Sequence, residues 1–252
     1  MTETAPIEEP QMSEIGTIGG VFFDPNATFE DLRRKPRFLI GGVIVALLVG
    51  LWGFGLYYKV GESGFRSALL EQFERSPQAA SLSPEQKNAA VDMQVKLQFY
   101  IRFAIPVFVF VSFFIGGLFY FLGAKAFGGS GGYLHGVSVW VYSTIPPAVV
   151  GTLANFIVLI LKPAEEIDFF GSQRGLIQAN PSFFIDGKSQ PVLATILATF
   201  DIFMIWGWIL AAIGLRITNR LSSASAWTIV IIFALFGTLI RVAGAYFGGA
   251  PN

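Results

Sequence analysis

The chain of 252 residues is 53% hydrophobic and only 13% charged, with 26 phenylalanines and a mean hydropathy of +0.60. A soluble domain carries about 25% charged residues, so half of the expected charge is missing and a water-soluble globule is excluded. Lys+Arg and Asp+Glu both number 17, and no basic stripe with interleaved aromatics occurs, so no nucleic-acid partner is expected.

Residues 1–37 are polar, with Glu3, Glu8, Glu9, Glu14, Asp24, Glu30 and Asp31. A signal peptide needs a basic start followed by an apolar stretch, so no cleavable signal is expected here. Residues 1–20 read as a disordered acidic tail. Arg33, Arg34, Lys35 and Arg37 precede the first apolar segment, which places the N-terminus on the cytoplasmic side.

A spanning helix needs about 20 mostly apolar residues to cross the hydrocarbon. Five segments qualify: 38–58, 101–122, 137–161, 192–215 and 225–247. Between the first two, Phe65, Leu69, Leu70 and Phe73 recur at helical spacing beside Glu71, Glu74 and Arg75, which predicts an amphipathic helix. It would serve as a lid over the bundle or lie on the membrane surface. Ser83-Pro84-Glu85-Gln86 then predicts a capped helix start, with Ser as N-cap, Pro at N1 and Gln at N3. That helix can run directly into the second span. Gly128-Gly129-Ser130-Gly131-Gly132 joins spans two and three and is flexible by composition.

The third span contains Pro146 and Pro147, which remove backbone hydrogen bonds and predict a kink. Pro106 does the same near the start of the second. In the fourth span stands Asp201, where a charge costs at least about 2.5–3.5 kcal/mol. Arg241 lies in the fifth. If the two helices are antiparallel neighbours, the pair sits about 15 and 9 Å from the same membrane face, and a long Arg side chain could close the gap. The structural reading is an ion pair that fixes helix packing, so that Asp201→Asn and Arg241→Gln would each weaken the fold. The functional reading is a proton or cation site.

Glycines at 41, 42, 50, 53, 55, 116, 117, 237 and 244 allow close helix approach within the chain or with another copy. The Gly-rich turn lacks the GxxxxGK[ST] pattern of a phosphate loop and the GxSxG pattern of a nucleophile elbow. His135 is the one histidine, so multi-histidine metal sites are impossible, and it reads as an interfacial polar residue. Cysteine is absent, which removes thiolate ligands and cysteine nucleophiles. No catalytic set, metal site or cofactor is expected.

Several stretches together resemble the Yip domain, the family named for Ypt/Rab-interacting proteins, in a short bacterial form. Phe23-Asp24-Pro25-Asn26-Ala27-Thr28-Phe29, with Leu32 and Pro36, resembles the family's segment leading into span one. Leu82-Ser83-Pro84-Glu85-Gln86 resembles the segment before span two. Phe127-Gly128-Gly129, then Tyr142-Ser143 and Ile145-Pro146, resembles its Gly-Gly loop and Tyr-x-x-x-Pro helix. Phe200-Asp201-Ile202-Phe203, Trp206 and Ile213-Gly214-Leu215 resemble its Asp-x-Phe-x-x-Trp helix ending in Gly-Leu.

The resemblance implies one Yip-type membrane domain over residues 21–250, with a cytoplasmic N-terminus and an external C-terminus, in a bacterial cytoplasmic (inner) membrane. Eukaryotic members bind Rab-type GTPases. The short tail here carries no GTPase-contacting motif, so that activity is not carried over.

The expected fold is therefore an all-α integral membrane protein: five transmembrane helices with an amphipathic, helical loop between spans one and two. The expected role is non-enzymatic organisation of membrane or membrane-protein assemblies. Its partners would be membrane lipid and either further copies of itself or other membrane proteins. The alternative is a small-solute or ion transporter or channel component using Asp201, Asn155 and the Pro-broken third span.

Overall fold

A computed structural model describes residues 9–75, 82–187 and 189–248. Among the described residues eight α-helices follow in order: α1 Glu14–Phe23, α2 Pro25–Arg34, α3 Leu39–Arg75, α4 Pro84–Ala126, α5 Tyr133–Leu161, α6 Pro191–Leu197, α7 Ile202–Thr218 and α8 Ser223–Gly248. No strand occurs among the described residues. The long apolar stretches of α3, α4, α5 and α8 each suffice to cross a membrane. The pair α6 and α7, bent by 50°, supplies a fifth span if taken as one.

The chain divides into two compact units. The first takes the described residues of 1–45, 110–149 and 179–251, and the second takes residues 46–109 and 150–178.

In the second unit, the apolar part of α3 ends at Gly61. Its φ of 74° lies in the left-handed region that glycine tolerates, and the chain turns there. The stretch after Gly61 is the amphipathic helix predicted from spacing. Phe65 and Leu69 are buried with Trp52, Leu56, Val91, Leu159, Ile167 and Phe169, and Leu70 and Phe73 pack against that cluster. This supports the lid reading, because the apolar stripe is covered by protein. Trp52 donates from Nε1 to the carbonyls of Ser172 and Gln173, tying α3 to the loop after α5. Asn155 does the same from α5: its Oδ1 accepts the Leu176 and Ile177 amides. The start of α4 forms the predicted capping box. The Ser83 amide donates to Gln86 Oε1 at 2.9 Å, and the Gln86 amide donates to Ser83 Oγ at 3.2 Å.

In the first unit, a helix, α1, begins where the sequence leads one to expect a disordered tail. That expectation for residues 1–20 is corrected from Glu14 onward, whereas residues 1–8 lie outside the described chain. Three glycines give α1 little intrinsic propensity, so its order comes from tertiary contacts. Ser13 caps it by accepting the Gly16 amide, Thr17 meets the Tyr142 hydroxyl at 3.0 Å, and Gly20 lies so close to Thr28 that no Cβ would fit. α2 is capped by Asp24 and packs Phe29 against Gly214 of α7, which Val139 of α5 also meets.

The Gly-rich turn is likewise packed, contrary to the flexible linker its composition suggests. The Ser130 amide donates to the Asn219 carbonyl, and a Cβ on Gly131 would stand 2.1 Å from Asn219 Oδ1. Gly128 has a φ of 77°. Close glycine contacts also hold the spans of this unit: Gly117 on Val137, Gly116 on Trp140 and Gly123 on Ile229.

Candidate functional site: the break in the fourth span

The fourth span is not the continuous helix that residues 192–215 lead one to expect. α6 tightens into a 3-10 turn over Ala198–Phe200, and Asp201 has an extended ψ of 138°. The cause is Asp201 itself. Inside a continuous apolar helix its carboxylate would have no donor. At the start of α7 it accepts an amide that no helical carbonyl can reach. Its Oδ1 accepts from the Phe203 amide at 2.9 Å, and its Oδ2 from Asn180 Nδ2 at 3.2 Å. The Ile202 amide donates to the Ala179 carbonyl, so the incoming loop closes the gap in the helix ladder.

Around the break runs a seam of hydroxyls. Thr199 is buried and meets Thr238 Oγ1 at 3.2 Å, and Arg241 Nη2 donates to Thr199 Oγ1 at 3.0 Å. Thr195, one turn before Thr199, is buried, and its Oγ1 has no hydrogen-bond partner among the described residues. Asp201 and Arg241 thus enter one polar neighbourhood, with Arg241 bonded two residues from Asp201. Asp201 itself is hydrogen-bonded to Asn180 and to the start of its own helix. An Asp ahead of an apolar helical run is the sequence signature of an N-cap, and that signal identifies the break.

The other residues singled out by sequence have mostly structural surroundings. Helix α5 continues through Pro146 and Pro147. Trp140's carbonyl accepts from the Ser143 and Thr144 hydroxyls one turn earlier. Gly207 of α7 lies against the Ser143 carbonyl and Pro147. His135 links two elements: its Nδ1 accepts the Gly132 amide at 3.1 Å, so Nε2 carries the proton donated to the Arg33 carbonyl at 3.0 Å. Asn155 belongs to the second unit, where it holds the loop after α5. Among the described residues, no group of three or more His, Cys, Asp or Glu could hold a metal.

Sequence reasoning missed a second polar cluster. Asp31 on α2 is only 1% exposed. Its Oδ1 accepts the Gln11 and Met12 amides just before α1, and its Oδ2 faces Arg37 Nη2 at 3.4 Å. Oδ2 and Arg37 Nη1 are both buried and have no hydrogen-bond partner among the described residues, so the contact between these side chains is an ion pair. No short motif marks it, because its members are brought together only by the turn between α1 and α2.

Comparison with known proteins agrees with this architecture. Over 245 residues the chain is 29% identical to the membrane protein YknW of Bacillus subtilis (strain 168), covering 92% of this chain and 95% of that protein. No solved structure matches it. The Yip1 domain matches residues 19–244, a stretch that includes α2, the glycine turn, the α5 prolines and the Asp201 break. With its apolar helices long enough to cross a bilayer repeatedly, the chain is a multi-pass membrane protein that belongs to the Yip1 domain family.

Proposed function

We propose that this protein is a non-enzymatic organiser of membrane-protein assemblies in a bacterial cytoplasmic membrane, with its N-terminus on the cytoplasmic side. The observation that carries this reading is the contrast among its glycines. Gly41, Gly42, Gly50, Gly55, Gly116 and Gly117 are each covered by side chains of their own unit. Gly237 and Gly244 on α8 have nothing within 4 Å of where a Cβ would stand. At a separation of two helical turns they share one face, flanked by exposed Phe236 and Ile240. Such a notch lets a second helix approach closely, where packing rather than hydrophobicity drives association in lipid.

Crosslinking in intact membranes, purification in mild detergent and mass spectrometry test this. A self-oligomer or a defined membrane-protein partner is expected, and it should be lost in Gly237→Leu/Gly244→Leu while helix content is kept. A monomer without partners would end the organiser reading. The break at Asp201 favours the alternative, a transporter or channel component, since broken spans with helix starts at a polar site recur in transporters. Solute or ion flux in liposomes that Asp201→Asn abolishes would favour that reading instead.

A further inference from the structure

Helix α3 joins the first unit late. The ring of Phe38 meets Phe114 edge-on at 5.5 Å, Gly42 lies against Phe110 and Phe113, and Gly41 lies against Val141, Tyr142 and Ile145. From Ala126 back to Phe114 the rise is about 18 Å, and from Tyr133 to Tyr142 about 14 Å. The ends of α4 and α5 therefore overshoot the start of α3 by more than two turns. α7 and α8 accompany them, with Gly214 beside Val139 and Ile229 beside Gly123.

That overshooting layer is lipid-facing. Ile115, Leu118, Phe119 and Leu122 on α4, and Ile231 and Ile232 on α8, are exposed there. In water they would form a broad apolar belt, which a folded chain avoids. The hydrocarbon thus extends at least to the level of Leu122, past the start of α3. The α1–α2 hairpin fills the place α3 leaves empty: Thr17 reaches Tyr142, Phe29 reaches Gly214 beside Val139, and the Arg33 carbonyl reaches His135.

The outward face of α1 is apolar. Ile15 is 79% exposed and Phe23 92%, and between them Gly19 has nothing within 4 Å of a Cβ position. We infer that α1 is embedded in the bilayer leaflet on the side of the Gly-rich turn, with Ile15 and Phe23 against acyl chains. The lipid is argued from continuity: α1 packs on Tyr142 at a depth where the neighbouring spans already face lipid. Glu14–Arg34 is then part of the membrane domain rather than a tail in water. The buried pair Asp31–Arg37 fastens it there, holding the start of α1 to α2.

The chain has no cysteine, so single cysteines can be introduced without altering its background. Ile15→Cys and Phe23→Cys, spin-labelled in vesicles of phosphatidylcholine and phosphatidylglycerol, are compared with Leu118→Cys as lipid reference and Glu85→Cys as water reference. Both test sites are exposed, so labelling leaves the packing intact. The ratio of oxygen to nickel-chelate collision at both should be several-fold above Glu85→Cys and close to Leu118→Cys. Nickel access equal to that at Glu85→Cys would overturn the inference by placing α1 in water. Low access to both reagents would overturn it by showing that protein, not lipid, covers the face.

Discussion

Two parts of this chain that do not span are held down by different forces. In the second unit, the helix after Gly61 is fixed by a cluster of aromatic and aliphatic side chains around Phe65, with Trp52 hydrogen-bonded to the loop that closes it. In the first unit, α1 and α2 bury Val21, Phe29 and Leu32 but rest in addition on buried polar groups: the Asp31 carboxylate, its Arg37 partner, the Thr17–Tyr142 contact and the His135 bridge. An apolar cluster tolerates repacking, because its energy is spread over many contacts. A buried ion pair does not, because losing one member strands the other. The α1–α2 hairpin should therefore fail abruptly and the helix after Gly61 by degrees.

The sharpest way to break that contrast is Asp31→Ala. It leaves Arg37 buried and uncompensated and frees the amides before α1, at a cost of about 3–5 kcal/mol. Hydrogen exchange should show protection lost over residues 11–37 while residues 62–75 keep theirs. Uniform loss across both regions would mean that the hairpin has no separate fastening.

Phe65→Ala should cost at the lower end of about 3–5 kcal/mol, the range for a buried Phe. Phe65→Leu should recover most of it, and thermal melting in detergent reads both. If Phe65→Leu is as harmful as Phe65→Ala, the cluster depends on ring geometry and the gradual picture fails. The smaller local change is Ser83→Ala, which removes one half of the capping box and should cost about 1 kcal/mol. Its effect should be confined to exchange at the first turn of α4.

How much of this was legible in the sequence follows the same division. The helix after Gly61 was readable because Phe65, Leu69, Leu70 and Phe73 repeat at helical spacing, and the Ser83 cap because its signal is local. The apolar stretches of the spans were readable from length alone. The α1–α2 hairpin was not, since Gly16, Gly19 and Gly20 dilute the pattern and its fasteners lie far apart in the chain. Thr17 and Tyr142, for example, are 125 residues apart, with three helices between them. The glycine turn misled for a related reason: composition suggests freedom, whereas Gly131 is glycine because Asn219 fills the space a Cβ would take.

Asp201 was found by sequence, but its role there was read through charge, and the structure gives it through geometry. As the N-cap of α7 its essential feature is an acceptor oxygen on a short side chain. Asn supplies one nearly as well, so Asp201→Asn should shift stability by only a few tenths of a kcal/mol, whereas Asp201→Ala should cost about 1 kcal/mol. Melting of the two variants side by side separates the roles. Near-native Asp201→Asn with weakened Asp201→Ala means that the break is held by a cap, and that Arg241, bonded to Thr199, does not depend on the Asp201 charge. Two equally weakened variants mean that the negative charge itself is needed beside Arg241, and the helix-packing ion pair expected from sequence then stands.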